Sequence, residues 1–216
     1  MEKPIFFNTV MVQAIVGLKK TQTRRIIKNK YENSNIEWFT NKYGTRLVYM
    51  QNDVPEPVYD SETKTTRHQL IACEEIKKPY DVGDILWVRE TWKISSPWGD
   101  IARGTRTAQF IYKAGYSKGI RIPITNDDEK NLGMWRPSIH MPRKAARIFL
   151  KVTDVRAEKL NVIDSKSARA EGIVEDDDYE AVRKYAGLWN NIYHKQGNGW
   201  GTNTWVWAIE FEKVEV

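Results

Sequence analysis

Apolar residues fall at helical spacing in three stretches of the chain, each bounded by residues that begin or end helices. Asn8 is the predicted N-cap of the first helix and Gly17 its end. Asp164 or Ser165 caps the second helix, which stops at Gly172. The acidic run at residues 175–178 suits the N-terminus of the third helix. The predicted helices cover residues 8–17, 165–171 and 179–193.

In other segments apolar and polar residues alternate, and β-branched and aromatic side chains are frequent. This pattern predicts strands. In the longest of them Phe149 breaks the alternation, which indicates that part of this strand is buried on both faces. The predicted strands cover residues 21–26, 85–92, 108–114, 143–156 and 204–212.

Two long stretches are polar and irregular. Residues 28–80 are interpreted as an elaborated hairpin or loop insertion, not a second core, and residues 93–134 are largely loop-like. Strands with few short helices and no βαβ rhythm favour an α+β fold around a small barrel. A length of 216 residues predicts a single domain.

Composition is that of a globular protein, with 41% apolar and 29% charged residues. No run approaches the roughly 20 apolar residues of a membrane helix, and the first residues lack a signal-peptide layout, so no membrane contact is expected. The single cysteine, Cys73, excludes an internal disulfide and fits a cytoplasmic protein.

The net charge of +6 is concentrated in one part of the chain. Residues 1–50 hold nine lysines and arginines against three acids, whereas the remainder balances at 25 against 25. A local basic field attracts phosphates, so an anionic partner is expected. A basic surface that only aids solubility is the alternative.

The stretch at residues 17–25 is the centre of this basic segment. It joins the first helix to a short strand, and a lysine and a threonine three residues apart in such a turn, Lys20 and Thr23, are expected to lie side by side. A basic surface turn without further function is the simpler interpretation.

These features together resemble an ASCH domain, a member of the PUA-like superfamily of small β-barrels. The resemblance is closest to the longer ASCH proteins that phages and prophages often encode. It implies one domain over residues 1–216, a barrel of about five or six strands flanked by short helices, and insertions at residues 28–80 and 93–134. The segments that carry it are residues 17–25, 81–92, 135–143, 147–156, 168–172 and 205–211.

One branch of that family, the small amidohydrolases acting on N4-acetylcytidine, uses a lysine, a threonine and a glutamate. Its K-T-x-T-x-R string matches this chain at Lys20, Thr23 and Arg25, and its A-x-x-E pattern matches at Ala168 and Glu171. The resemblance therefore implies a catalytic set of Lys20, Thr23 and Glu171.

Such a set suits acyl transfer. A threonine hydroxyl needs a base, and a lysine serves as one when burial or neighbouring cations lower its pKa. Glu171 would hold the lysine, relay a proton or activate water. A purely structural ion pair between Lys20 and Glu171 is the alternative.

Further residues are candidates for binding the substrate. Trp92 and Trp135, next to charged residues in extended segments, suit stacking on a base, while a histidine in the position of His140 is more often structural. No metal spacing is present, and no cofactor is expected. The candidates are Arg24, Arg25, Arg89, Glu90, Trp92, Trp135, Arg136, Ser138, His140 and Arg143.

Three functions follow from this interpretation. The first is a hydrolase on an acylated, N4-acetylcytidine-like nucleoside, base or nucleotide. The second is a non-catalytic module that binds RNA or a modified nucleotide, which the long insertions favour, and the third is a ribonuclease. The expected partner in each case is a modified nucleoside or RNA.

Overall fold

The computed structural model describes residues 1–31, 34–42, 44–51, 58–60, 65–67, 73–95, 104, 106–115, 121–130 and 132–215. The strands are β1 (Glu2–Phe6), β2 (Gln22–Ile26), β3 (Ser34–Asn41), β4 (Gly44–Gln51), β5 (Val58–Asp60), β6 (Thr65–Arg67), β7 (Cys73–Glu75), β8 (Ile85–Arg89), β9 (Trp92–Ile94), β10 (Thr107–Tyr112), β11 (Arg121–Pro123), β12 (Phe149–Lys159) and β13 (Trp205–Val214). The α-helices are α1 (Thr9–Val16), α2 (Asn126–Glu129), α3 (Ser165–Ala170) and α4 (Asp178–Tyr193). Single 3-10 turns lie at Ser138–His140, Arg143–Ala145, Leu160–Val162, His194–Gln196 and Trp200–Thr202.

The fold is α+β, as expected, with most strands in several sheets and few helices. A central five-stranded sheet has the order β1-β8-β12-β13-β2, in which only the β1–β8 pair is parallel. Within the described residues this sheet is not closed into a barrel, and β1 and β2 are its edges. The smaller sheets have the orders β11-β10-β9, β3-β4-β7 and β5-β6.

The helix boundaries predicted from capping residues are confirmed. The side chains of Asn8, Asp164 and Asp177 accept hydrogen bonds from backbone amides in the first turns of α1, α3 and α4. Each of these bonds satisfies a donor that the helix itself leaves unpaired. None of the helices in the described parts of the chain is long and apolar enough to cross a bilayer.

The long strand predicted at residues 143–156 is shifted toward the C-terminus. Its first residues form a 3-10 turn, because the amides of Ala145 and Ala146 bond back to Pro142 and Arg143. β12 therefore starts at Phe149. Burial on both faces is confirmed, since Phe149 and the following Leu150 pack into different hydrophobic clusters.

The predicted strand at residues 85–92 is two strands in different sheets. β8 pairs with β1 and β12, whereas β9 pairs with β10. The buried Glu90 lies at the break, where it forms an ion pair with Arg147. β1 was not predicted. Its Pro4 cannot donate to a ladder, and proline is tolerated in an edge strand, which is the position of β1.

Both predicted insertions contribute to hydrophobic clusters. The hairpin of β3 and β4, expected within residues 28–80, places Leu47 in the main cluster beside the central sheet. The stretch at residues 93–134 was expected to be mainly loop, yet Ile94 and Phe110 help to form a second cluster. The irregular segments at residues 52–57, 61–64, 96–103 and 116–120, with His68, lie outside the described residues.

Candidate functional site

The turn after α1 brings Lys20 against the end of α3. Gly17 ends the helix, and Leu18 takes up a left-handed backbone conformation with φ of 56°. The amides of Lys19 and Lys20 both bond to the carbonyl of Ala14, at 2.8 and 3.2 Å. The turn is joined to α3 by an isolated β-bridge between Lys20 and Glu171, residues that are far apart in sequence.

Lys20 and Glu171 form a buried ion pair. The Lys20 Nζ lies 2.6 Å from Glu171 Oε2 and also donates to the Glu171 backbone carbonyl at 2.8 Å. The Phe7 ring centroid lies 5.8 Å from the same nitrogen. Burial lowers the pKa of Lys20, and the Glu171 carboxylate opposes this shift.

Arg24 is a second cation on the same carboxylate. Its Nη1 lies 3.3 Å from Glu171 Oε1 and donates to Gln22 Oε1 at 2.8 Å. Its Nε and Nη2 bind Glu158 Oε1 at 2.9 and 2.6 Å. Arg24 is therefore buried and paired on both sides, although it also lines a small cavity together with Thr23 and Glu171, and its role in binding a substrate stays a prediction.

Thr23 and Glu171 line one small cavity between β2, α1 and α4. Its volume is about 20 Å³, which is enough for about one water molecule. No residue in the described ranges forms a hydrogen bond with the Thr23 hydroxyl. Burial, reinforced by Glu171, raises the pKa of Tyr185 on the cavity wall well above its usual range. The other lining residues are Met11, Arg24, Arg25, Leu188, Trp189, Ile192 and Tyr193.

Arg25 lies at the outer edge of this cavity and is half-buried. Its Nη2 donates to the backbone carbonyl of Phe6 at 2.6 Å, and its guanidinium carbon lies 5.1 Å from the Phe7 ring centroid. Arg89 contacts the same short segment, with its guanidinium carbon 4.8 Å from the Phe6 ring centroid. Phe6 therefore touches two of the predicted binding arginines.

Arg89, Ser138 and His140 are connected through one backbone carbonyl. Arg89 donates to the carbonyl of Ile139, in the 3-10 turn that carries Ser138 and His140. The His140 side chain is exposed and not part of a hydrophobic cluster. These residues share a surface, but none of them lines the cavity of Thr23 and Glu171.

Three residues predicted to bind substrate are instead occupied in the structure. Glu90 binds Arg147 through two hydrogen bonds of 2.8 and 2.9 Å and is buried. Arg143 makes a two-point ion pair with Glu2, at 2.7 and 2.9 Å. Trp92 is the third. Both ion pairs connect segments that are distant in sequence and have a stabilising geometry.

Trp92 is buried in the second hydrophobic cluster, so the prediction that it stacks on a base is wrong. Phe110 packs edge-on against it with centroids 5.4 Å apart, and the Arg136 guanidinium lies 5.0 Å from its ring. Trp135 is 45% exposed, with the Lys93 ammonium 4.8 Å from its ring. A ligand would therefore reach the Trp135 ring but not that of Trp92.

The sequence-predicted residues thus fall into two groups. Lys20, Thr23, Glu171, Arg24 and Arg25 are brought together around the cavity. None of the eight others lines this cavity, and Trp92 belongs to the second cluster.

Sequence reasoning missed two residues of the site, Glu158 and Tyr185. Glu158 gave no signal, because a carboxylate on an alternating strand is ordinarily solvated. Tyr185 lies one helical turn before Trp189, so the apolar face of α4 was the signal that could have found it. Among the described residues, no three His, Cys, Asp or Glu side chains are grouped in a way that would hold a metal ion.

No protein-family model, no curated protein and no solved structure matches the chain.

Proposed function

We propose that the protein is a hydrolase that removes an acyl group from an N4-acetylcytidine-like nucleoside, base or nucleotide. One observation carries this proposal: the buried Lys20–Glu171 pair presents its carboxylate to the cavity that Thr23 also lines. A buried lysine with a lowered pKa is the type of base that activates a hydroxyl.

The arrangement suggests a route for the proton. Glu171 lines the cavity whereas Lys20 lies behind it, so the Thr23 proton passes to Glu171 and on to the neutral Lys20 amine. Arg24 offers the Glu171 carboxylate a second positive charge, which stays beside it when Lys20 is neutral.

In the first half of the reaction, the Thr23 oxygen attacks the acyl carbonyl carbon and the carbon–nitrogen bond breaks. The departing amine takes the proton back from the Lys20–Glu171 pair, and the acyl group remains on Thr23 as an ester. Water then attacks this ester and gives its proton to the same pair. The carboxylic acid leaves and Thr23 is protonated again.

Substrate must enlarge the cavity to reach Thr23. A volume of about 20 Å³ is too small for an acyl group together with a pyrimidine ring. The half-buried side chains of Met11 and Leu188 line it, and their displacement would open it. The proposal therefore includes a movement between α1 and α4 when substrate binds.

The finer fold assignment belongs to the same proposal. The central five-stranded sheet is the core of a PUA-like barrel in a single ASCH domain, with residues 28–80 and 93–134 as insertions. We also propose that the protein is cytoplasmic and that its partner is a modified nucleoside or RNA.

The test is incubation with N4-acetylcytidine, N4-acetylcytosine and a short RNA that contains the modified base, with chromatography of the products. Wild-type protein should release cytidine or cytosine. Thr23→Val removes the hydroxyl at similar volume and should abolish release, whereas Thr23→Ser keeps a hydroxyl and should retain part of it. Turnover should increase with pH through the lowered pKa of Lys20, because only the neutral amine accepts a proton.

Circular dichroism of each variant serves as the control for folding. If folded Thr23→Val releases cytidine or cytosine as fast as wild type, Thr23 is not the nucleophile. Cleavage of the RNA chain without release of an acyl group would support the ribonuclease alternative instead.

A further inference from the structure

Two clefts separate the β3–β4 hairpin from the central sheet, and both are lined by Trp38. The first, of about 990 Å³, lies between β3, the end of β12 and the turn Trp200–Thr202. The second, of about 680 Å³, lies between β4, β7 and the middle of β12. We name the two clefts together the hairpin groove. None of its residues lines the Thr23 cavity.

The hairpin groove contains aromatic surface that a flat ligand can reach. Trp38 is 49% exposed, and it meets Trp205 edge-on with ring centroids 6.1 Å apart. Because about half of Trp38 is exposed and the ring lines both clefts, part of its indole surface is open to the groove. The Lys159 ammonium lies 4.8 Å from the Trp205 ring, which places a cation next to this aromatic pair.

The charge of the groove is positive. Six lysines and arginines line it against three acids, and five of these cations remain once Arg156, which is paired with carboxylates outside the lining, is set aside. Lys28 and Lys159 in the first cleft form no salt bridge with any residue in the described ranges. In the second cleft, the buried Arg46 Nε has no hydrogen-bond partner within those ranges. A cleft with this charge concentrates an anionic ligand.

Amide side chains supply hydrogen-bonding groups next to the aromatic pair. Five asparagines and glutamines line the first cleft, and the exposed Asn35 amide makes no hydrogen bond with another described residue. An amide both donates and accepts, which suits the edges of nucleobases.

We propose that the hairpin groove binds single-stranded nucleic acid, with Trp38 stacked on an unpaired base and Lys28 and Lys159 next to its phosphates. Aromatic platforms in a basic groove are the features that recognise single strands. In a duplex the bases are stacked on one another and offer no free face to Trp38. This inference does not rest on the proposed hydrolase activity.

The test is fluorescence anisotropy of labelled single-stranded RNA and DNA, about twelve nucleotides long, with the full chain. Trp38→Ala should weaken binding about tenfold, whereas Trp38→Phe keeps a ring and should restore most of the affinity. The double variant Lys28→Ala, Lys159→Ala should reduce the slope of log affinity against log salt by about 1.4. Lys144→Ala, Lys166→Ala is the matched control, since both lysines are exposed and lie outside the groove.

Thr23→Val separates this inference from the hydrolase proposal. It should bind the strands as wild type does, even if turnover is lost. The proposal is overturned if wild type binds no single strand at about 50 mM salt. It is equally overturned if folded Trp38→Ala and the groove double variant bind as tightly as the Lys144, Lys166 control. A preference for duplex over single strands would also contradict it.

Discussion

At the scale of single residues, Glu171 is the carboxylate that joins two buried cations, Lys20 and Arg24. The Glu171 carboxylate accepts hydrogen bonds from Lys20 and from Arg24. All three side chains are almost completely buried. A buried ion pair gains Coulomb energy but loses hydration, so its net contribution to stability is small. The loss of one partner is different, because it leaves an uncompensated charge in the interior.

We therefore expect strong coupling between Lys20 and Glu171. Glu171→Leu alone should lower the free energy of unfolding by about 3–5 kcal/mol, because it strands the Lys20 ammonium. The double variant Lys20→Met, Glu171→Leu should be more stable than Glu171→Leu alone. Urea denaturation of the two single variants and the double variant measures the coupling.

The control is a double-mutant cycle on the exposed ion pair Glu180–Arg183 of α4. The substitutions Glu180→Ala and Arg183→Ala should show a coupling of about 0.5 kcal/mol or less. Simple additivity of Lys20→Met and Glu171→Leu would show that the buried pair is not energetically linked.

At the scale of elements, Gly172 decides how closely α3 approaches α1 and the Lys20 turn. Its φ of +100° is a conformation that favours glycine. A Cβ placed there would lie 3.1 Å from the Ala14 Cβ and 3.5 Å from the Lys20 Cβ. The absence of a side chain therefore allows the β-bridge between Lys20 and Glu171.

Gly172→Ala should lower the free energy of unfolding by about 1–3 kcal/mol, because it adds backbone strain and a close contact. Gly187→Ala is the matched control, because Gly187 lies within α4 and a Cβ added there meets no atom within 4 Å. This change should raise the free energy of unfolding by about 0.4–1 kcal/mol. Thermal unfolding of both variants provides the comparison. Equal melting temperatures would show that the approach of α3 to α1 is not set by Gly172.

At the scale of the whole molecule, the β3–β4 hairpin is part of the main hydrophobic cluster and not an appendage. Leu47 of β4 and Ile76, just after β7, are buried with residues of the central sheet. The same packing places Trp38 over the sheet and creates the hairpin groove. The hairpin should therefore unfold together with the central sheet.

Leu47→Ala should lower the free energy of unfolding by about 2–5 kcal/mol, since it removes buried methyl groups from a packed cluster. Val82→Ala, at an exposed turn position, is the control and should change it by about 0.5 kcal/mol or less. Urea denaturation followed by tryptophan fluorescence is the measurement. A change in Leu47→Ala as small as that of the control would indicate that the hairpin folds apart from the central sheet.

The sequence by itself determined the features that depend on neighbouring residues. The caps of α1 and α3 were readable because a short polar side chain, such as Asn8 or Asp164, satisfies the helix amides locally when it precedes an apolar run. The acidic run at residues 175–178 marked the N-terminus of α4. The two-sided burial near Phe149 followed from a break in alternation. The mixed α+β class followed from the absence of a βαβ rhythm.

Only the tertiary structure decided which distant residues meet. Lys20 and Glu171 were proposed as partners from a resemblance, and their contact depends on α3 folding back onto the turn after α1. Trp92 looked available for a ligand, but the packing of Phe110 against it buries the ring. Arg24 looked like a surface cation until Glu158 and Glu171 were placed on both sides of it.

The physical reason is that periodicity reports only that one face of a segment is buried. It does not report which other segment covers that face, because this depends on strand register and on the closure of long loops. The hairpin groove shows the difference: Trp38, Trp205 and Lys159 each belong to an ordinary strand pattern, and only the packing of the hairpin on the sheet brings them together.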